Sequence, residues 1–74
     1  MPHVNIKHFP VELNEEQRTE LLAAVTDAVR SAFSCPDDVI SIALEPVEQS
    51  VWMESVYVEE IVNRKDLLHK TPNY

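Results

Sequence analysis

Pro2-His3-Val4-Asn5-Ile6-Lys7-His8-Phe9 opens the chain and decides how the rest is read. Val4 and Ile6 are β-branched, the pattern alternates, and Pro10 ends the run, so the stretch is predicted as a strand. One face carries Pro2, Val4, Ile6 and His8, and the other carries His3, Asn5, Lys7 and Phe9. Pro2 has a plain structural reading, because at the start of a strand its missing N–H and fixed φ cost little. It also has a chemical one. Inside a chain a proline nitrogen is an amide without basicity, but with Met1 removed Pro2 becomes a secondary amine. An α-amino group titrates near ~7.7–8, close to where a general base is most effective. On spacing alone the structural reading is the stronger.

Downstream of Pro10, Asn14 followed by Glu15, Glu16 and Gln17 marks a helix start: an acceptor at the cap, acids in the first turn and a polar residue placed to reach back. Leu21, Leu22, Val25, Ala28, Val29, Ala32 and Phe33 then recur at helical spacing, opposite Arg18, Glu20, Asp27, Arg30 and Ser31. This predicts a core helix of about five turns, stopped between Ser34 and Pro36. Asp38 to Glu45 is predicted as a second strand, with Ile40, Ile42 and Leu44 on one side and Val39, Ser41 and Ala43 on the other. Strand, helix and strand form a βαβ unit, whose strands should be parallel and whose crossover right-handed.

After Pro46, the spacing of Trp52, Met53, Val56, Tyr57, Ile61 and Val62 predicts a helix from about Ser50 to Val62, although Val56-Tyr57-Val58 fits a short strand equally. A further short turn should run from Lys65 to Lys70, carrying Leu67 and Leu68. The chain has no glycine, which leaves Asn63 as the candidate for a left-handed cap in this region. The fold class is therefore α+β: one domain, residues 1–74, with an additional C-terminal helical segment. Two parallel strands and one helix cannot cover both faces of a sheet, so this segment and a second subunit must supply the rest. A chain of this size is near the lower limit for a self-sufficient core.

Composition narrows the partners. Thirteen acids against six Lys and Arg give a net charge of −7, which disfavours nucleic acid and anionic membranes and leaves a small molecule or a basic protein. Cys35 is the one cysteine, which excludes an internal disulfide and suits a reducing compartment. Its neighbours Pro36 and Asp37 offer nothing to activate a thiol, so it reads as a helix-end packing residue. No charged segment leads into an apolar stretch and no run approaches a membrane span, so the expected location is the cytoplasm.

The common catalytic constellations are missing. Without glycine there is no phosphate-cradling loop; there is also no Gly-flanked serine, no cysteine–histidine pattern and no zinc spacing. His3 and His8 fall on opposite faces and His69 is remote, so no metal set is predicted. The acid pairs Glu15-Glu16, Asp37-Asp38 and Glu59-Glu60 read as solvated surface.

The Met-Pro start joined to Pro2-His3-Val4-Asn5-Ile6-Lys7, the helix headed by Asn14-Glu15-Glu16-Gln17, and the strand Val39-Ile40-Ser41-Ile42-Ala43-Leu44 together resemble the 4-oxalocrotonate tautomerase family. The tail with Trp52 and the ending Lys70-Thr71-Pro72-Asn73-Tyr74 is similar to its dimeric bacterial pseudo-tautomerase branch. The resemblance covers essentially the whole chain. It implies a tautomerase-type β-α-β protomer that dimerises through a shared sheet, a dimer able to associate further. It also implies a cofactor-independent enol–keto tautomerase, needing no metal, acting on small 2-oxo acid enols with Pro2 as general base. By the same resemblance Trp52 corresponds to the aromatic wall of the pocket and the backbone N–H of Phe9 to a substrate-binding group. Ser41, together with Glu12 or its neighbour Val11, stands where the family has arginines. Activity on dicarboxylates should therefore be weak, and a monocarboxylate or an aromatic enol such as phenylenolpyruvate fits better. Trp52 as core or interface packing, and Ser41 as a hydroxyl bonded to backbone, are the structural alternatives. The functional alternative is a non-catalytic dimeric module of the same fold that binds a small molecule or a protein. Hydration or dehalogenation of small unsaturated acids, implied by the family's relatives, is disfavoured by the missing arginines.

Overall fold

In the computed structural model, which describes residues 1–74, helix α1 runs from Glu15 to Phe33. Its start is the predicted capping box: the Asn14 side chain accepts from the Gln17 amide at 2.7 Å, and the Gln17 side chain accepts from the Asn14 amide at 3.0 Å. Two of the four donors that a helix start leaves without a partner are thereby satisfied. The helix ends at Ser34, which takes a left-handed conformation (φ 52°, ψ 51°) while its N–H bonds to the Arg30 carbonyl. A residue with a Cβ pays about 1 kcal/mol for that conformation. Half-buried Cys35 follows, its amide also reaching the Arg30 carbonyl at 3.3 Å.

Strand β1 (His3–His8) and strand β2 (Ser41–Pro46) pair in parallel, in the register His3 with Ser41, Val4 with Ile42 and Ile6 with Leu44. The second strand thus begins later than the predicted Asp38. Asp37–Val39 forms a single 3₁₀ turn instead, closed by the Ile40 amide on the Asp37 carbonyl at 3.2 Å. The physical reason is the register: with His3 opposite Ser41, residues before Ser41 have no neighbouring strand to bond. Helix α1 packs on the face carrying Val4, Ile6, Ile42 and Leu44, with Val29 and Phe33 beside Val4.

The C-terminal segment is wound differently from the predicted α-helix. Gln49–Val51 makes one 3₁₀ turn, Met53–Val62 forms a π-helix, and Lys65–Leu67 makes another 3₁₀ turn. A π-helix bonds each amide to the carbonyl five residues back, as Asn63 does to Val58 at 2.9 Å. The covered positions are Trp52, then Ser55, Val56 and Tyr57, then Glu60 and Ile61, so the wider winding turns Trp52, Val56 and Ile61 inward together. The short strand at Val56–Val58 does not form. Asn63 is right-handed (φ −72°), and Ser34 is the residue that takes the left-handed role.

The protomer's own core is thin. Val56 alone is buried, and Phe33, Met53 and Val62 on the predicted apolar faces remain exposed. The radius of gyration is 14.0 Å, against about 11.3 Å for a compact chain of this length. No helix is long and apolar enough to cross a membrane.

Candidate active site

Strand β1 carries a group of interest at each end. At its start, Pro2 is half-buried beside a cavity of about 460 Å³ lined by Met1, Pro2, His3, Val4, Val29 and Phe33. The Ser41 amide donates to the Pro2 carbonyl at 3.2 Å. The Ser41 hydroxyl lies 2.6 Å from His3 Nδ1, across the strand pair that the register sets opposite each other. Pro2 and Ser41, predicted separately, are therefore neighbours, and the Ser41 hydroxyl is satisfied by a histidine side chain rather than by backbone.

At the far end of β1, Phe9 and Trp52 meet edge to face, with ring centroids 4.9 Å apart and planes at 86°, the geometry that aromatic quadrupoles favour. They line an apolar cavity of about 630 Å³ with Lys7, His8, Gln49, Met53 and Tyr74. Trp52 Nε1 donates to the Tyr74 hydroxyl at 3.1 Å. The Tyr74 ring in turn packs edge-on against Tyr57, with centroids 5.5 Å apart. Trp52 is thus half-buried as a cavity wall, while Phe9 keeps 45% of its surface exposed.

Lys7 is the cation of this cavity, and it is already committed. Its ammonium donates to the Glu60 carboxylate on the π-helix, and side-chain exposure at this pair is 25% and 35%. The Glu60 hydrogen bond, assisted by the charges of Glu60, Glu45 and Glu59, outweighs desolvation and holds the Lys7 ammonium above the ordinary lysine value of 10.5. Glu60 is consequently not the solvated surface acid predicted for the Glu59-Glu60 pair; the π-helix turns it inward onto β1. Glu15, Glu16, Asp37 and Asp38 do lie exposed as predicted. Glu12 and Val11 are exposed beyond the strand end.

The four residues singled out from sequence therefore fall into two pairs: Pro2 with Ser41, and Phe9 with Trp52. Seven residue steps of extended chain separate Pro2 from Phe9, roughly 23 Å at ~3.3 Å per residue. One protomer does not bring the two pairs together. Tyr74 and Lys7 line the cavity although periodicity does not single them out, since Tyr74 lies beyond any regular element and a lone lysine in a strand gives no pattern.

Comparison with known proteins adds to this geometry. A family model described as "Tautomerase enzyme" matches residues 2–60. Tautomerase PptA of Enterobacter sp. (strain 638) is 42% identical over 74 residues, covering 100% of this chain and 97% of that protein. Tautomerase PptA of Escherichia coli O139:H28 (strain E24377A / ETEC) is 38% identical over the same 74 residues, covering 97% of its length. The Escherichia coli K12 strain DH10B protein of that name is also 38% identical, with 95% of its length covered.

Proposed function

This chain belongs to the tautomerase family, and from that membership we propose that it is a cofactor-independent enol–keto tautomerase of small 2-oxo acid enols with Pro2, freed of Met1, as general base. The observation that carries the reading is that the match to the family model begins at Pro2 itself, a half-buried residue that lines one cavity with Val29 and Phe33. Apolar surroundings disfavour a charged ammonium and lower its pKa toward neutrality.

The step balances without any other reactant. The neutral Pro2 nitrogen accepts the enol hydroxyl proton, the O–H electron pair becomes the second bond of the carbonyl, and the carbon–carbon π pair takes the proton back from the prolinium. Proline returns to its starting state. Phenylenolpyruvate-like substrates fit best: the far cavity is walled by Phe9, Trp52, Met53 and Tyr74. Its lysine is already paired with Glu60, so a second carboxylate on the substrate would meet no free cation there.

A homodimer completes such a site. Ser41 N–H bonds the Pro2 carbonyl and Val47 N–H bonds the His8 carbonyl at 2.8 Å, so the even-numbered residues of β1 serve the ladder to β2. The alternation of a parallel ladder turns the N–H and C=O groups of His3, Asn5 and Lys7 to the open edge. Antiparallel pairing of two such edges carries one protomer's Pro2 to the end where its partner's β1 strand finishes, alongside the Phe9–Trp52 cavity. The exposed surface also favours association: the protomer shows 6023 Å², whereas a self-contained chain of this mass shows about 4,700 Å². That excess of about 1,300 Å² is larger than the roughly 800 Å² each partner hides in a standard interface.

The test is a pH–rate profile on an aromatic enol, paired with the intact mass of the purified protein. The expected result is a missing Met1 and a rate that rises through an apparent pKa below the ~7.7–8 of an unperturbed α-amine. The second reading is a non-catalytic dimeric binding module, favoured by the absence of arginine at Ser41 and at Val11 or Glu12. A correctly processed protein that turns over none of a panel of 2-oxo acid enols would establish it.

A further inference from the structure

Tyr74 does two things at once. Its hydroxyl accepts the Trp52 indole N–H at 3.1 Å, and its ring packs edge-on against Tyr57 at 5.5 Å and 86°. Trp52 and Tyr57 are five residues apart, and five steps of about 100° in an α-helix would turn them about 140° away from each other. The π-helix from Met53, capped by Trp52, changes that. Winding with bonds five residues apart sets Trp52 and Tyr57 one turn from each other on the same side, where one aromatic residue can bridge them. Four of the chain's five aromatic rings are linked in this way, in the order Phe9, Trp52, Tyr74, Tyr57.

An edge-to-face wall recognises another ring only while its own rings hold their angle. Trp52 is held on one side by Phe9 and on the other by the Tyr74 hydroxyl. We propose that Tyr74 is a positioning residue: it fixes the Trp52 indole as the aromatic wall of the substrate cavity and thereby sets the preference for an aromatic over an aliphatic enol. The proposal rests on the tautomerase reading and adds to it the residue that determines specificity.

Tyr74→Phe tests it, since this change removes the hydroxyl and keeps the ring. For phenylenolpyruvate the variant should show a KM raised about fivefold, the ratio lost with a single neutral hydrogen bond, at unchanged kcat. For a small aliphatic enol KM should stay within twofold. Trp52 is the chain's one tryptophan, so acrylamide quenching of intrinsic fluorescence reads its mobility directly, and quenching should rise about twofold. In a Trp52→Phe background, Tyr74→Phe should have no further effect on KM, which separates action through Trp52 from loss of general packing. Unchanged aromatic KM and unchanged quenching in Tyr74→Phe, with Pro2→Ala inactive, overturn this proposal and leave the tautomerase reading standing. Equal rates in wild type and Pro2→Ala overturn both.

Discussion

Lys7 and Glu60 tie the end of strand β1 to the π-helix through a direct ion pair. The pair is partly exposed, so it acts on the position of the helix more than on total stability. It also has a definite pH signature. The Lys7 ammonium is held above its ordinary value, chiefly by the Glu60 hydrogen bond. A group raised in the folded state contributes fully below its unfolded pKa of ~10.4 and loses that contribution as the pH rises through the higher folded value. Lys7→Met should therefore lower the urea midpoint by a constant amount from about pH 7 to about pH 9.5, with the two curves converging at higher pH. A difference already lost between about pH 7 and about pH 9 would place the effect elsewhere.

Pro2→Ala should reduce tautomerisation of an aromatic enol at least about a hundredfold, the lower end of what a positioned general base supplies. Circular dichroism of the variant should match the wild type, because the strand ladder uses the Pro2 carbonyl and that group is kept. A steady-state assay on protein with verified N-terminal mass decides it.

Subunit mixing tests whether the site is shared. If Pro2 of one protomer works against Trp52 of its partner, Pro2→Ala and Trp52→Ala homodimers are each inactive. Unfolding them together and refolding at equal concentration yields heterodimers with one intact site, and about one quarter of wild-type activity should return. A site contained within one protomer would leave the mixture silent.

The capping box is a local test of the fold. Asn14→Ala leaves the Gln17 amide without its side-chain acceptor and should cost about 1 kcal/mol. Denaturant titration should register this as a lower midpoint at unchanged slope. Asn14→Asp should recover most of it.

These expectations draw on features of unequal legibility. Strand β1, helix α1 and the parallel βαβ arrangement follow from local rules: alternation at Val4 and Ile6, a cap at Asn14, an apolar repeat from Leu21 to Phe33. The start of β2 is not legible locally, because Val39 and Ile40 have strand composition but no strand beside them; pairing is a long-range property. The C-terminal helix is legible in its apolar spacing, yet Trp52, Val56 and Ile61 come to one side only under the wider winding, which spacing alone does not announce. The same winding concealed Glu60, which sits in an acidic run resembling surface. Pro2 is legible from its place after Met1, whereas Ser41, Phe9 and Trp52 are named from resemblance, and the pairing of Ser41 with one end of β1 and of Trp52 with the other is invisible to any local pattern. Tyr74 carries no local signal, because it reaches Trp52 across 22 residues from outside any regular element.

Ser34 is the chain's one left-handed residue, there is no glycine anywhere, and there are five prolines. Glycine gives up the most backbone freedom on folding and proline the least, so this polypeptide begins with an unusually restricted denatured ensemble. The entropic penalty of ordering it is correspondingly reduced. A protomer that buries so little of itself is helped toward the native state from the opposite direction, by how few other shapes it has to abandon.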